Sequence, residues 1–293
     1  MEHFRALAAL VEPPAPEHRH VARALGLPEL DSPTDYSDLF LFQLYPYASV
    51  YLGAEGMLGG ESRDRIAGFW RALDLVPPRE PDHLAVMLAL HARLGEMERG
   101  AADDRQPAWR RARHAHFWEH LMSWLPAWLD ALVEIAPAPY RAWGRLLESA
   151  LAEEATTIGP PAQLPRHLGE APPVSDPRRD GLDAFVASLL APARSGIILT
   201  RADVARAAAD LGLGLRAGER RYALHALLSQ DPPATLAWLR GTSEAWRTRH
   251  RASRHIGGIV TDHWIERADR TAALLQELEI ESMEVLHVAG AGD

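Results

Sequence analysis

Two histidines four residues apart, with a glutamate one residue before the second, stand at His116, Glu119 and His120. That H-x-x-E-H spacing sets both imidazoles on one face of a helix, where zinc can be held and Glu119 can act as a general base. A third ligand would come from the helix that follows, which offers Glu148, Glu153 and Glu154. The ordinary reading is chance, because a chain with 14 histidines readily produces a five-residue pattern of this kind. A second acidic and imidazole group is Glu80-Pro81-Asp82-His83. Its carboxylates can grip a guanidinium bidentately, or they can simply favour the positive end of a helix. Arg201, Arg206, Arg216, Arg220 and Arg221 gather in a helix–turn–helix-like stretch, 200–228, on which a DNA-binding reading would rest. Gly212 to Gly218 follows a helical pattern and not a strand, with the wrong spacing for a dinucleotide fingerprint, so Gly212 reads as a helix C-cap.

Composition removes much chemistry. There is no cysteine, so disulfides, thiolate nucleophiles and cysteine-held clusters are excluded. Lysine is absent too, and all 31 basic residues are arginine, which excludes a P-loop lysine and a Schiff base. The net charge of −9 disfavours a general nucleic-acid binder and suits a cationic peptide partner. No apolar run approaches the roughly 20 residues that span a bilayer, so membrane insertion is not expected. Met1 to Pro14 is broken by Glu2, His3, Arg5 and Glu12 and lacks the apolar stretch of a secretory leader, so a cytoplasmic location is expected.

The elements that must position these residues are helical throughout. Ser32-Pro33-Thr34-Asp35 supplies an N-cap, a proline at N1 and an acidic first turn for a helix that Pro46 ends. Ser62 can cap a helix carrying Ile66, Phe69, Trp70 and Leu73, and Glu80-Pro81-Asp82 can open the next. A longer pattern runs over 107–133 and breaks at Pro126, followed by another from about 139 to 151. Six prolines between Thr157 and Asp180 mark an extended connection. Helical periodicity returns over 182–190, 200–211, 217–229 and 232–246, with Thr200 and Asp203 spaced as a capping box. A last helix is predicted over 262–278, and 283–288 alternates weakly, as an edge strand or a tail would. The fold class is all-α, divided as 1–156, a proline-rich linker over 157–180, and a helical region over 181–293.

Glu80-Pro81-Asp82-His83 resembles the E(PX)DH signature of the TorD/DmsD/NarJ redox-enzyme maturation chaperones. Upstream, Tyr36-Ser37-Asp38-Leu39-Phe40 is similar to that family's aromatic-x-x-Leu-Phe motif. Downstream, His120-Leu121 and Trp124-Leu125-Pro126-Ala127-Trp128 are similar to its His-Leu, Trp and Pro pattern. The resemblance spans about 33–155, which leaves 181–293 as a C-terminal extension of a TorD-like helical bundle.

The resemblance implies a non-catalytic chaperone that binds the apo-form or the twin-arginine signal peptide of a molybdopterin oxidoreductase catalytic subunit, and assists cofactor insertion before export. It implies a client-binding cleft at Glu80, Pro81, Asp82 and His83, with Tyr36, Leu39, Phe40, Tyr47, Trp124 and Trp128 as further lining. Trp70 and Trp143 read as core. No permanent cofactor, no metal and no nucleic-acid partner are expected. The alternatives are a zinc-dependent hydrolase using His116, Glu119 and His120, and a helical DNA-binding regulator.

Overall fold

The computed structural model describes residues 1–215 and 218–290, the last six by backbone alone. Arg216 and Ala217, named above in the arginine cluster and as a helix start, lie outside the described residues. The fold is all-α; the one strand-like pairing among the described residues is an isolated antiparallel bridge between Tyr47 and His83. No described helix is long and apolar enough to cross a membrane. The chain divides into two compact units: Met1–Gly53, Met57–Glu170 and His255–Val260 form the first; Ala54–Gly56, Ala171–Arg254 and Thr261–Asp293 form the second.

In the first unit, the helix Leu84–Gly100 packs along both Glu2–Ala9 and Gln106–Ala115, while Leu125–Ile135 and Ala138–Ile158 pair as a hairpin of helices. Two helices change pitch. Pro33–Tyr36, capped by the Ser32 side chain accepting from the Asp35 N–H at 3.1 Å, runs on as a π-helix over Ser37–Gln43 and ends before Pro46. Gln106–Ala115 runs on as a π-helix over His116–Leu121, and a new helix starts at Leu125 with Pro126 in its first turn. Such turns close i→i+5 bonds and frequently mark functional positions.

An aromatic column fills the centre of this unit. Phe40 stacks on Trp128 at 6.0 Å and meets Tyr140 edge-on at 5.1 Å, and Trp124 stacks on Tyr51 at 5.2 Å. Trp124, Trp128 and Trp143 are fully buried; the Trp143 indole donates to the Leu7 carbonyl, and that of Trp124 to the His120 carbonyl. Beside the column runs a file of buried histidines, His91, His116, His120 and His167, with successive ring centroids 5.7, 5.9 and 5.7 Å apart.

The second unit has a core cluster of Val204, Ala207, Ala208, Ala223 and Leu227. The predicted capping box is present: Thr200 Oγ1 accepts from the Asp203 N–H at 3.1 Å, and Asp203 accepts from the Thr200 N–H at 2.8 Å. Gly212, at φ +66°, follows the helix Arg201–Asp210 as a glycine C-cap should.

Three local expectations are corrected. The 60s helix begins at Gly60, so Ser62 lies buried inside it and does not cap it. The helix after Glu80-Pro81-Asp82 begins only at Leu84, capped by His83, whose Nδ1 accepts from the Ala85 N–H at 3.3 Å; the acidic residues therefore precede its first turn. The final helix spans Ile259–Gly290 and absorbs 283–288. Glutamates 277, 279, 281 and 284 are good helix formers, and no strand among the described residues offers a ladder to an edge strand.

Candidate functional site

The Tyr47–His83 bridge builds the site. The Ala48 N–H donates to the Asp82 carbonyl at 2.9 Å and the Leu84 N–H to the Pro46 carbonyl at 2.8 Å, so segments 46–48 and 82–84 lie side by side. Pro46 and Pro81 stiffen the two segments and are both buried. The Tyr47 ring meets the His83 ring edge-on at 4.8 Å, and its hydroxyl donates to Glu80 at 2.9 Å. Burial and this bond to a carboxylate push the Tyr47 phenol up in pKa.

Three carboxylates surround His83. Glu80 is exposed, Asp82 is 2% exposed, and Glu12 approaches His83 Nδ1 at 3.6 Å. None of the three pairs with an arginine among the described residues. Burial holds the His83 imidazole below its ordinary range, against the opposing pull of Glu12, Glu80 and Asp82, so it is neutral at pH 7. The result is a concentration of negative charge without a cation. Within it, Asp82 Oδ2 is buried and has no hydrogen-bond partner. A buried carboxylate oxygen left unsatisfied costs free energy that an incoming donor would recover.

The other predicted lining residues lie elsewhere in their environment. Tyr36 (7% exposed), Leu39 and Phe40 are buried. Trp124 and Trp128 belong to the aromatic column and present no surface. The exposed apolar residues of the π-helix are the next two in sequence, Leu41 and Phe42, each about half exposed at 48% and 49%. Glu12, Leu41 and Phe42 were missed by the sequence reading. Nothing in the spacing of Glu12 brings it to His83, but the unbroken apolar run Leu39-Phe40-Leu41-Phe42 is itself a signal, since one helix face cannot bury all four.

The H-x-x-E-H residues do not assemble. His116 and His120 are buried, with neither His116 ring nitrogen bonded, and Glu119 accepts from the Arg166 N–H at 2.9 Å. Glu154 is engaged by His91 at 2.6 Å and by Arg113 at 2.8 Å. Among the described residues no group of three His, Asp or Glu side chains could hold a metal ion, so the hydrolase alternative gains no support. In the 200–228 stretch, Arg206 and Arg221 face Asp203 and Asp183, and Arg220 donates to the Leu199 carbonyl, as solvated and capping arginines do.

Residues 6–130 match the family model described as nitrate reductase delta subunit. The match begins earlier and ends earlier than the 33–155 suggested by motifs alone, and it takes in Glu12 together with residues 80–83. No curated protein matches the chain.

Proposed function

We propose that this chain, whose residues 6–130 match the nitrate reductase delta subunit family model, is a molybdoenzyme maturation chaperone that recognises a cationic segment of its client's catalytic subunit, in the first place a twin-arginine leader. The observation that carries this reading is the unpartnered, buried Asp82 carboxylate within a cluster of acidic residues that holds no cation.

The chemistry matches. A twin-arginine leader presents guanidinium groups followed by an apolar stretch. Glu80 stands at the surface to meet the first guanidinium, Glu12 is partly exposed beside His83, and Asp82 is buried. A local rearrangement that exposes the Asp82 carboxyl would let it take a charge-assisted contact. Leu41 and Phe42 offer apolar surface for the segment that follows, as an apolar helix requires of its groove. Binding alone is needed; the work is to hold the precursor in the cytoplasm until its cofactor is inserted.

Fluorescence anisotropy with a labelled twin-arginine leader tests the reading on the full chain. Wild type should bind saturably, and Asp82→Asn and Glu80→Gln should each weaken binding about tenfold or more, the scale of a charge-assisted bond. Unchanged affinity in the Glu12→Gln, Glu80→Gln, Asp82→Asn triple variant would overturn the site. Failure of the wild type to bind either leader or apo-precursor would overturn the function.

A further inference from the structure

We infer that a pocket in the first unit, on the Gln106–Ala115 helix, is a binding site for a small phosphate-bearing molecule. The pocket has a volume of about 650 Å³ and is lined by Glu98, Arg110, Arg111, Arg113, His114, Thr157 and Ile158. Its cationic wall stands out on a chain whose net charge is −9.

The arginines divide by what they touch. Arg113 is nearly buried and donates to both Glu98 and Glu154, each at 2.8 Å, so its charge is already matched. Arg110 reaches Glu98 through Nε alone at 3.0 Å, which leaves both terminal nitrogens of its guanidinium uncommitted. Arg111 has no hydrogen bond or ion pair among the described residues. The excess positive charge of the pocket therefore sits on Arg110 and Arg111, whose donors are free to turn inward.

Ion pairing with Glu98 and Glu154 accounts for Arg113 and for the Nε of Arg110, but it leaves Arg111 and the terminal nitrogens of Arg110 without a partner among the described residues. Cations are favoured at a helix C-terminus, but the backbone continues through His116 into the π-helix, so the carbonyl end lies beyond these arginines. What the wall does suit is a phosphoryl group, which a planar guanidinium fork grips through two parallel hydrogen bonds. The Thr157 hydroxyl lines the pocket with its one donor committed to the Glu153 carbonyl, so the gripping donors are those of the arginines. Ile158 supplies an apolar floor for the organic part of the molecule. A volume of this size takes a small metabolite or a mononucleotide.

Isothermal titration of the full chain with inorganic pyrophosphate, and separately with ADP, is the direct test. Saturable binding at one site is expected, weakened at least tenfold by Arg111→Gln or Arg110→Gln and reduced by added salt. Arg111 is exposed and unpartnered, and Arg113 still holds Glu98 when Arg110 is replaced, so both variants should fold; their unfolding temperatures check this. Arg19→Gln, which removes a surface pair with Asp31, should leave binding unchanged. Tighter binding of ADP than of pyrophosphate would add contact with the organic moiety at Ile158, and equal binding would confine the site to the phosphates. No saturable binding of either probe, equal binding by the Arg110→Gln, Arg111→Gln double variant, or capture of a polyglutamate peptide in place of both probes would overturn the inference.

Discussion

Asp82 and Arg113 show two ways in which one charged side chain can be buried. Arg113 is fully matched: Glu98 and Glu154 flank it, and Glu154 also receives the neutral His91 imidazole at 2.6 Å. Both carboxyls are held below the usual range despite their burial, because the bonds to Arg113 and, for Glu154, to His91 outweigh desolvation. Removing the arginine leaves Glu98 with only the exposed Arg110 and Glu154 with only the His91 imidazole, so Arg113→Leu should cost about 3 kcal/mol, read from the urea midpoint. Asp82 is the opposite case, a carboxylate with a partner missing. Its neighbour His83 adds a pH dependence. Its lowered pKa keeps it neutral at pH 7, and protonation on acidification places a positive charge among the carboxylates that should receive an arginine. Leader binding should therefore weaken on acidification, at a pH below the ordinary histidine value of about 6.5, and His83→Gln should flatten that part of the profile.

At the scale of elements, three helix starts were legible, two others (Ser62 and Glu80 to Asp82) were displaced, and the pitch was not legible. Ser32 and Asp35, Thr200 and Asp203, and Pro126 act where their local chemistry says, because a cap is settled by residues within one turn. The π-helices at Ser37–Gln43 and His116–Leu121 were read as ordinary helix, since one extra residue in a turn leaves the apolar pattern almost intact. Periodicity also could not tell a core face from a cleft face, and for that reason Trp124 and Trp128 were read as lining. Glu80 to His83 was legible as a charged group; the approach of Glu12, more than sixty residues away, was not, because it depends on how Glu2–Ala9 packs on Leu84–Gly100. Backbone conformation at Gly196 is another such tertiary demand. It sits at φ +75°, and an added Cβ would come within 2.4 Å of the Ala268 backbone nitrogen, while its carbonyl meets His250 Nε2 at 2.8 Å. Gly196→Ala should destabilise the chain by more than about 2 kcal/mol, whereas Gly212→Ala, with the same sign of φ but open space around it, should cost about 1 kcal/mol. Denaturant unfolding of the two variants separates strain from collision.

For the whole molecule, the buried histidines set the response to acid. His120 is pushed down to about 3, and His167 and His250 to about 4, all chiefly by burial, and His116 lies well below its ordinary value for the same reason. Above pH 6.5 these groups are neutral in both folded and unfolded chains, and their stability contribution is constant. Below it the unfolded chain takes up protons that the folded chain refuses, so stability falls with falling pH until the folded values near 3 to 4 are reached. Each group costs about 1.4 kcal/mol per pH unit in that window. With four such groups spread over both units, the unfolding temperature should drop steeply between pH 6.5 and 4.5, and His167→Leu or His250→Leu should each make the slope shallower.

The aromatic column gives that transition its own optical signature. Trp124 and Trp128 stand edge to face at 5.9 Å, without access to water, with Tyr51 and Phe40 stacked against them and the Trp124 indole tied to the backbone of His120. Indoles fixed so closely couple their electronic transitions, giving a strong near-ultraviolet dichroism and a contribution of short-wavelength emission that iodide does not quench. Because the same residues link the column to the histidine file, protonation that breaches the file should erase the dichroic couplet and shift the emission to the red, so that the loss of native packing is read from the chain's own light without any label.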